Sequence, residues 1–252
     1  MIVTTLDLHP FAAELWGLLT DTHHPIHDPA IVALFIEICE AAGVDRAVHL
    51  GDFMDYHVVS THKKDPERML KDGTFEEQAD SASVLLEYLR SRRGILIEGN
   101  HDARPRLQVT EKFPHLISQM SLPKLLPLDR IAFVPQGGRI AVGSYQFSHG
   151  DSFFKKTIPA NPVAKVLKMR PDQTTTFGHV HRRLRALETL PNRDGRPRTR
   201  GAYSIGHSSI EEKHADYMGE VTGWQQSMQL VRWLYPDGEK ASPKAEITEI
   251  EF

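Results

Sequence analysis

Five short polar clusters, each directly after a segment that reads as a strand, constrain this 252-residue chain more than any other feature. They are Asp21-Thr22-His23, Gly51-Asp52-Phe53-Met54-Asp55, Gly99-Asn100-His101-Asp102, His149-Gly150-Asp151 and Gly178-His179-Val180-His181. In α/β sheets, ligands bind outside the carboxyl ends of the strands. A chain that ends strand after strand in Asp, His and Asn therefore gathers those side chains at one end of a sheet.

The segments between the clusters predict alternating elements. Leu15 to Leu19 reads as a buried strand that runs into Thr20-Asp21. Asp28-Pro29 reads as an N-cap followed by proline at the first helical position, and Gly43 as the stop. Between them Ile31, Leu34, Phe35, Ile38 and Cys39 fall at helical spacing. Arg46 to Leu50 is a strand, Phe75 to Arg90 an amphipathic helix, and Ile95 to Ile97 a strand. The second half reads as short strands, mostly antiparallel, with one helix from Pro162 to Met169. These strands lie near Ile131–Val134, Arg139–Val142, Ser144–Ser148, Thr174–Phe177, Leu184–Thr189, Gly201–Ile205, Met228–Leu234 and Ala245–Ile250. The expected fold class is α/β: a four-layer α-β-β-α sandwich, two mixed β-sheets packed face to face with helices outside. Residues 1–252 are expected to form one domain, with 1–14 as an N-terminal extension.

The cluster chemistry points to metal. In Asp21-x-His23 and His179-x-His181, a spacing of two places both side chains on one side of an extended segment. The donors are imidazole, carboxylate and amide oxygen, with no thiolate. Such a set suits Zn, Mn, Fe, Co or Ni. One His-x-His is more often a surface strand pair, but five clusters in fixed order, each at a strand end, are not a surface accident.

This order resembles the calcineurin-like metallophosphoesterase family, with its D-x-H, GDxxD, GNHD/E, later H and GHxH motifs. The resemblance runs from Asp21 to His181. It implies two divalent metals, with Mn favoured over Fe, Zn, Ni or Co. One would take Asp21, His23, Asp52 and His181. The other would take Asp52, Asn100, His149 and His179, so that Asp52 bridges. It implies a bridging hydroxide as nucleophile, His101 as general acid for the leaving oxygen, and Asp55 as the group that orients His101. Two cations about 3.5–4 Å apart clamp a phosphate and acidify water between them.

Composition narrows the rest. Thirty Lys and Arg against 33 Asp and Glu give a formal charge of −3, so global charge does not mark a nucleic-acid or membrane binder. The single cysteine, Cys39, excludes an internal disulfide and a cysteine-built zinc site. It sits on an apolar helical face and reads as a core residue. The first Lys or Arg is Arg46, and no early apolar run approaches a membrane span. A cytoplasmic protein with no membrane association is the expectation.

The plain reading of His24, His27, His57, His62 and His207 is histidines that are solvent-exposed or satisfied by hydrogen bonds. His207, after a strand, is also a candidate for the substrate pocket. Trp224, Trp233 and Tyr235 read as sheet packing, and Asp102 and Asp151 as candidates for bracing networks. Seven arginines (182, 183, 185, 193, 196, 198 and 200) against Glu188 and Asp194 leave a hairpin with a net +5. It begins at the candidate metal site, so Arg182 and Arg183 are candidate substrate contacts, and DNA or RNA is a candidate partner. The bland alternative is a solvated hairpin face. Lys63, Lys64, Arg104 and Arg106 lie on other loops near the site. The polar stretch 57–73 is loop-like and placed to shape the pocket.

Three functions are therefore in play. The first is a phosphodiesterase acting on nucleic acid or nucleotides. The second is a phosphomonoesterase, protein phosphatases included. Against the latter, the stretches resembling GDxVDRG and GNHE read GDFMDYH and GNHDARP here, without the arginine after the second Asp. The third is a non-catalytic scaffold, which the complete ligand set disfavours.

Overall fold

The computed structural model describes residues 5–7, 14–61, 66, 69, 72–154, 157–191, 197–210, 223–235 and 243–252. The expected sites at His62, Lys63, Lys64, Arg193 and Arg196, and most of the hairpin tip, lie outside these residues.

In chain order the strands are β1 (Thr5–Asp7), β2 (Leu15–Leu19), β3 (Arg46–His49), β4 (Ile95–Ile97), β5 (Ala132–Val134), β6 (Arg139–Val142), β7 (Tyr145–Ser148), β8 (Thr174–Phe177), β9 (Leu184–Pro191), β10 (Pro197–Ser204), β11 (Ser227–Leu234) and β12 (Lys244–Glu251). The α-helices are α1 (Pro29–Ala42), α2 (Phe75–Ser81), α3 (Ser83–Ser91), α4 (Arg104–Lys112), α5 (Leu122–Leu125) and α6 (Pro162–Met169).

Two six-stranded sheets form, ordered β12-β11-β2-β3-β4-β5 and β1-β6-β7-β8-β10-β9. Both are mixed. In the first, β2, β3, β4 and β5 run parallel, and β11 and β12 antiparallel. In the second, β1 with β6, β7 with β8, and β8 with β10 pair in parallel. Among the pairings within the second half, β6 with β7, β9 with β10 and β11 with β12 are antiparallel, so the expectation of a mostly antiparallel half holds, with β7–β8 and β8–β10 as parallel exceptions. For β7–β8 the reason is connectivity: α6 carries the chain from β7 to β8, and a helical crossover returns a strand in parallel.

Between the sheets lies an apolar layer in which Trp16, Leu18, Val48, Leu50, Ile95, Ile97 and Trp233 meet Ile140, Val142 and Phe147. Trp16 stands edge-on to Trp233 at 5.1 Å and tilted to Phe147 at 5.7 Å. Burying a side chain such as Phe147 contributes roughly 1.5–3 kcal/mol. Strand β2 is buried on both faces. Its alternate residues Leu15 and Leu19 join Val32, Phe35 and Cys39 of α1 and Leu85, Leu86 and Leu89 of α3. On the opposite side, Val163, Val166 and Leu167 of α6 cover Phe177 and Ala202. The order is helix, sheet, sheet, helix, the four-layer α-β-β-α sandwich.

The local rules explain the helix ends. Asp28 accepts from the backbone of Ala30 and Ile31, and Gly43 closes α1 at φ 69°. Thr74 and Glu77 form a capping box at α2. The expected helix over Phe75–Arg90 is two helices, because a tight turn at buried Ala82 separates α2 from α3. Residues 5–7 add an edge strand beside β6.

Candidate metal centre

Strands β2, β3 and β4 are parallel neighbours in one sheet, and β7 and β8 are parallel neighbours in the other. Their carboxyl ends therefore deliver Asp21, Asp52, Asn100, His149 and His179 to one place. The loops are laced together. Asp21 N–H donates to Gly51 O at 3.0 Å, His23 N–H to Asp52 O at 3.0 Å, and Gly178 N–H to His149 O at 2.9 Å.

The side chains are not aimed by strand alternation, as expected from the spacing. Asp21, His23, Asp52, His179 and His181 all adopt left-handed backbone, with φ of 53°, 51°, 50°, 68° and 57°. Each costs roughly 1–3 kcal/mol and persists only where its surroundings impose it. Left-handed turns, rather than an extended segment, bring Asp21 beside His23, and they send His179 and His181 to different ligand groups. Asn100 and His101 likewise lie in a turn.

Two glycines make room. A Cβ on Gly99 would stand 2.2 Å from both N and Oδ1 of Asp52, and one on Gly178 would stand 2.1 Å from Thr20 Oγ1. Glycine at these positions permits close approach.

The resulting geometry has two halves. In one, His181 Nε2 lies 3.4 Å from Asp21 Oδ1 and 3.3 Å from His23 Nε2. In the other, His149 Nε2 lies 3.2 Å from Asp52 Oδ2 and 3.1 Å from Asn100 Oδ1. The His179 ring stands edge-on to His149 at 5.1 Å. Asp52 Oδ2 faces both halves, since it is also 3.9 Å from His23 Nε2. Ligands bonded to one ion at about 2.1 Å are separated by roughly 3–3.5 Å. Among the described residues three groups have the spacing to hold an ion: Asp21 with His23 and His181; His23 with Asp52 and His101; and Asp52 with His149 and His179. The donor set fits divalent cations. Asp21 Oδ1 is buried and accepts no hydrogen bond among the described residues. His149 Nδ1 faces Leu50 O at 3.1 Å. That contact places a proton on Nδ1 and leaves Nε2 as the donor atom for a metal.

The charges agree with that fit. Burial opposes ionisation of Asp21 and Asp52, but His181 and His149 hold Asp21 below the usual carboxylate range, and His149 and His101 do so for Asp52. Burial also opposes charge on His149, yet Asp52 outweighs it and raises the imidazole to about 10. The pocket attracts a positive charge, whether proton or metal.

His101 and Asp55 form a pair beside this centre. Asp55 Oδ1 lies 2.8 Å from His101 Nδ1. Arg104, at the start of α4, donates to His101 Nε2 at 2.9 Å and to Asp55 O at 2.7 Å. Burial, with Arg104 adding to it, pushes the His101 imidazole down to about 3 against the pull of Asp52 and Asp55.

Several bracing residues surround the centre. Asp102 accepts from the backbone N–H groups of Met54, Gly99 and Phe53 at 2.7, 2.8 and 3.2 Å, tying the GDFMD loop to the GNHD loop. Burial and Asp52 raise its carboxyl to about 7, although those three donors oppose the shift. Asp151 accepts from Gln136 Nε2 at 3.0 Å. His49, not singled out in the sequence, lies beneath the site, 3.2 Å from Thr22 Oγ1 and 3.3 Å from Gly51 N. Its signal is a lone histidine inside the apolar strand β3.

His207 is buried and stacks on His181 at 5.3 Å, with Nδ1 3.1 Å from Ser209 Oγ. His24 and His57 are also buried, so none of these three is a surface histidine. Trp224 is not sheet packing: it stands edge-on to His181 at 4.1 Å and faces His207 at 5.2 Å. Trp233 is in the inter-sheet core, as expected.

The arginine hairpin is less bare than its sequence. Arg200 pairs with Glu188 across the hairpin. Arg183 pairs with Glu251 at 2.6 Å and Arg185 approaches Glu249 at 4.0 Å, so β12 supplies counter-charge. The Arg182 guanidinium faces Pro159 O at 3.5 Å. Among the described residues no helix is long and apolar enough to cross a membrane.

Known proteins were compared with the chain. The model of the calcineurin-like phosphoesterases matches residues 17–230. Gene 54 protein of Mycobacterium phage L5 is 27% identical over 245 residues, covering 90% of this chain and 91% of that protein. A solved structure of an archaeal phosphodiesterase is 17% identical, with a TM-score of 0.41 and coverage of 94% of this chain and 99% of that one. Vacuolar protein sorting 29 from Cryptosporidium parvum is 12% identical, with a TM-score of 0.43 and coverage of 96% and 98%. Neither structural likeness bears on what this chain does.

Proposed function

Because the chain belongs to the calcineurin-like phosphoesterase family, we propose that it hydrolyses phosphate esters with two divalent cations, and that phosphodiesters of nucleic acid or nucleotides are its substrates. One observation carries this reading. Asp52 Oδ2 stands 3.2 Å from His149 Nε2 and 3.9 Å from His23 Nε2, so one carboxylate faces both ligand groups. On this reading Asp21, His23, Asp52 and His181 hold one cation, and Asp52, Asn100, His149 and His179 the other. When bound, the cations supply Lewis-acid charge to the phosphate oxygens and acidify water. Manganese is the favoured ion, with Fe, Zn, Ni or Co as alternatives.

The chain's own groups do the rest. Asp55 accepts a hydrogen bond from Nδ1–H of His101 and so fixes the tautomer and ring orientation. Nε2 is then the atom that takes up a proton from solvent as substrate binds and passes it to the leaving oxygen, as the general acid. An arriving phosphate brings negative charge beside an imidazole that burial holds neutral, and so favours the protonated form. His207 and Trp224 wall the His181 side of the centre. Arg182 and Arg183 lie just beyond His181 and remain candidate contacts for a longer substrate.

The diester preference is supported by Tyr56, which stands where the protein-phosphatase pattern carries arginine. The test is a metal-loaded comparison of bis-p-nitrophenyl phosphate with p-nitrophenyl phosphate. A higher rate constant on the diester is expected, and a clearly higher one on the monoester would move the assignment to phosphomonoesterase.

A further inference from the structure

Arg104 reaches from the first turn of α4 to the edge of the centre. Its side chain is 13% exposed, and its guanidinium closes over the His101–Asp55 pair. Nη2 lies 2.9 Å from His101 Nε2; Nη1 lies 2.7 Å from Asp55 O and 3.3 Å from Asp55 Oδ1. The backbone fixes this reach, since Arg104 N–H donates to His101 O at 3.0 Å as α4 begins.

These partners satisfy the guanidinium poorly. A carbonyl and an imidazole nitrogen are neutral acceptors. The only carboxylate oxygen in its reach among the described contacts, Asp55 Oδ1, also serves His101 at 2.8 Å and lies 3.5 Å from His23 Nδ1. A largely buried cation needs an anion that matches its charge. Guanidinium donors match phosphate oxygens in a planar, two-point contact. His101 Nε2 is in addition the atom that must be released if it is to face a leaving oxygen.

We infer that Arg104 is a phosphate-binding residue: its Nη2 donor passes from His101 Nε2 to a non-bridging oxygen of the entering phosphate, which frees Nε2 for the leaving group. The inference rests on the reading of the centre as a phosphoesterase site.

The test uses the full chain loaded with metal, and reads inorganic phosphate binding by calorimetry, metal content and steady-state kinetics for wild type, Arg104→Gln and Arg104→Lys. The expected result is a phosphate dissociation constant about 10- to 100-fold weaker in Arg104→Gln, the usual worth of a hydrogen bond to a charged group. Arg104→Lys should fall between, because it keeps the charge and loses the fork. Metal content should stay at the wild-type level, and KM should rise along with a fall in kcat. Phosphate affinity within twofold of wild type in both variants overturns the inference, and so does loss of metal in step with phosphate affinity, which would make Arg104 a brace for the ligands. If Arg104→Gln does not fold, Arg104→Lys decides by the same criteria. Failure of the underlying reading looks different: the wild type then turns over no phosphate ester, while the binding comparison still judges Arg104.

Discussion

The backbone N–H of His101 donates to Asp52 Oδ1 at 2.8 Å. One oxygen of Asp52 is thereby fixed by the loop that carries the candidate acid, while the other faces the two ligand groups. The contact locks the GDFMD loop to the GNHD loop, and Asp102 repeats the lock from beneath.

Asp52→Asn should therefore lose metal as well as activity. A neutral amide cannot bridge two cations as a carboxylate does. Its backbone lock can survive through the amide oxygen, so the variant should still fold. Elemental analysis that finds two full equivalents in this variant would remove Asp52 from the bridging position.

Gly99→Ala should disturb the same residue from outside the ligand set. The new methyl would lie 2.2 Å from Asp52 N and Oδ1. Overpacking of this kind costs about 1–3 kcal/mol, and relief requires Asp52 to move. Denaturant unfolding and metal content, measured together, should both fall. Unchanged values in both would show that the two loops are looser than their contacts indicate.

His101→Asn should keep both metals and slow turnover by roughly 10²–10⁴-fold, the range of general acid catalysis. The defect should shrink with p-nitrophenolate as leaving group and be greatest with an alkoxide. Asp55→Asn should give a smaller loss of the same kind, since it removes the partner that orients the Nδ1 proton. Equal losses across leaving groups would assign His101 to phosphate binding instead.

Cys39 offers a probe of folding away from the site. It is fully buried against Gly17, where a Cβ would lie 2.5 Å from its sulfur. Burial pushes its thiol up to about 12, despite an opposing contact from Tyr88. At pH 8 the thiolate fraction is then on the order of 10⁻⁴, so a disulfide reagent should label the native chain far more slowly than the unfolded one. Fast labelling of the native protein would contradict the packing of α1 on β2.

The strands that feed the site were legible because each is a short run rich in apolar, aromatic or β-branched residues that ends in a polar cluster. Helix α1 was legible because Asp28, Pro29 and Gly43 each obey a local rule. The parallel pairing of β7 with β8 was not, since it is decided by the helical crossover through α6 and not by strand composition. Helix α4, Arg104–Lys112, escaped notice because its sequence, Arg-Pro-Arg-Leu-Gln-Val-Thr-Glu-Lys, has no clear apolar stripe. The ligand residues were legible as a set, but not how they are aimed. Spacing suggested extended backbone at Asp21 and His23, whereas both are left-handed, held by hydrogen bonds to Gly51 and Asp52 that no local pattern encodes. Trp224 was misread for a similar reason: its place beside His181 depends on Gln225 N–H meeting His181 O at 3.0 Å, across more than forty residues of chain.

On the proposed function, this centre hydrolyses phosphate esters through two cations that share Asp52. The most direct measurement titrates Mn²⁺ into chelator-stripped protein while following bis-p-nitrophenyl phosphate hydrolysis. No turnover is expected before metal is added, and the rate should saturate at two equivalents per chain. Full activity in protein shown by elemental analysis to hold no metal, or no turnover of mono- or diester at any loading of Mn, Fe, Zn, Ni or Co, would contradict that function.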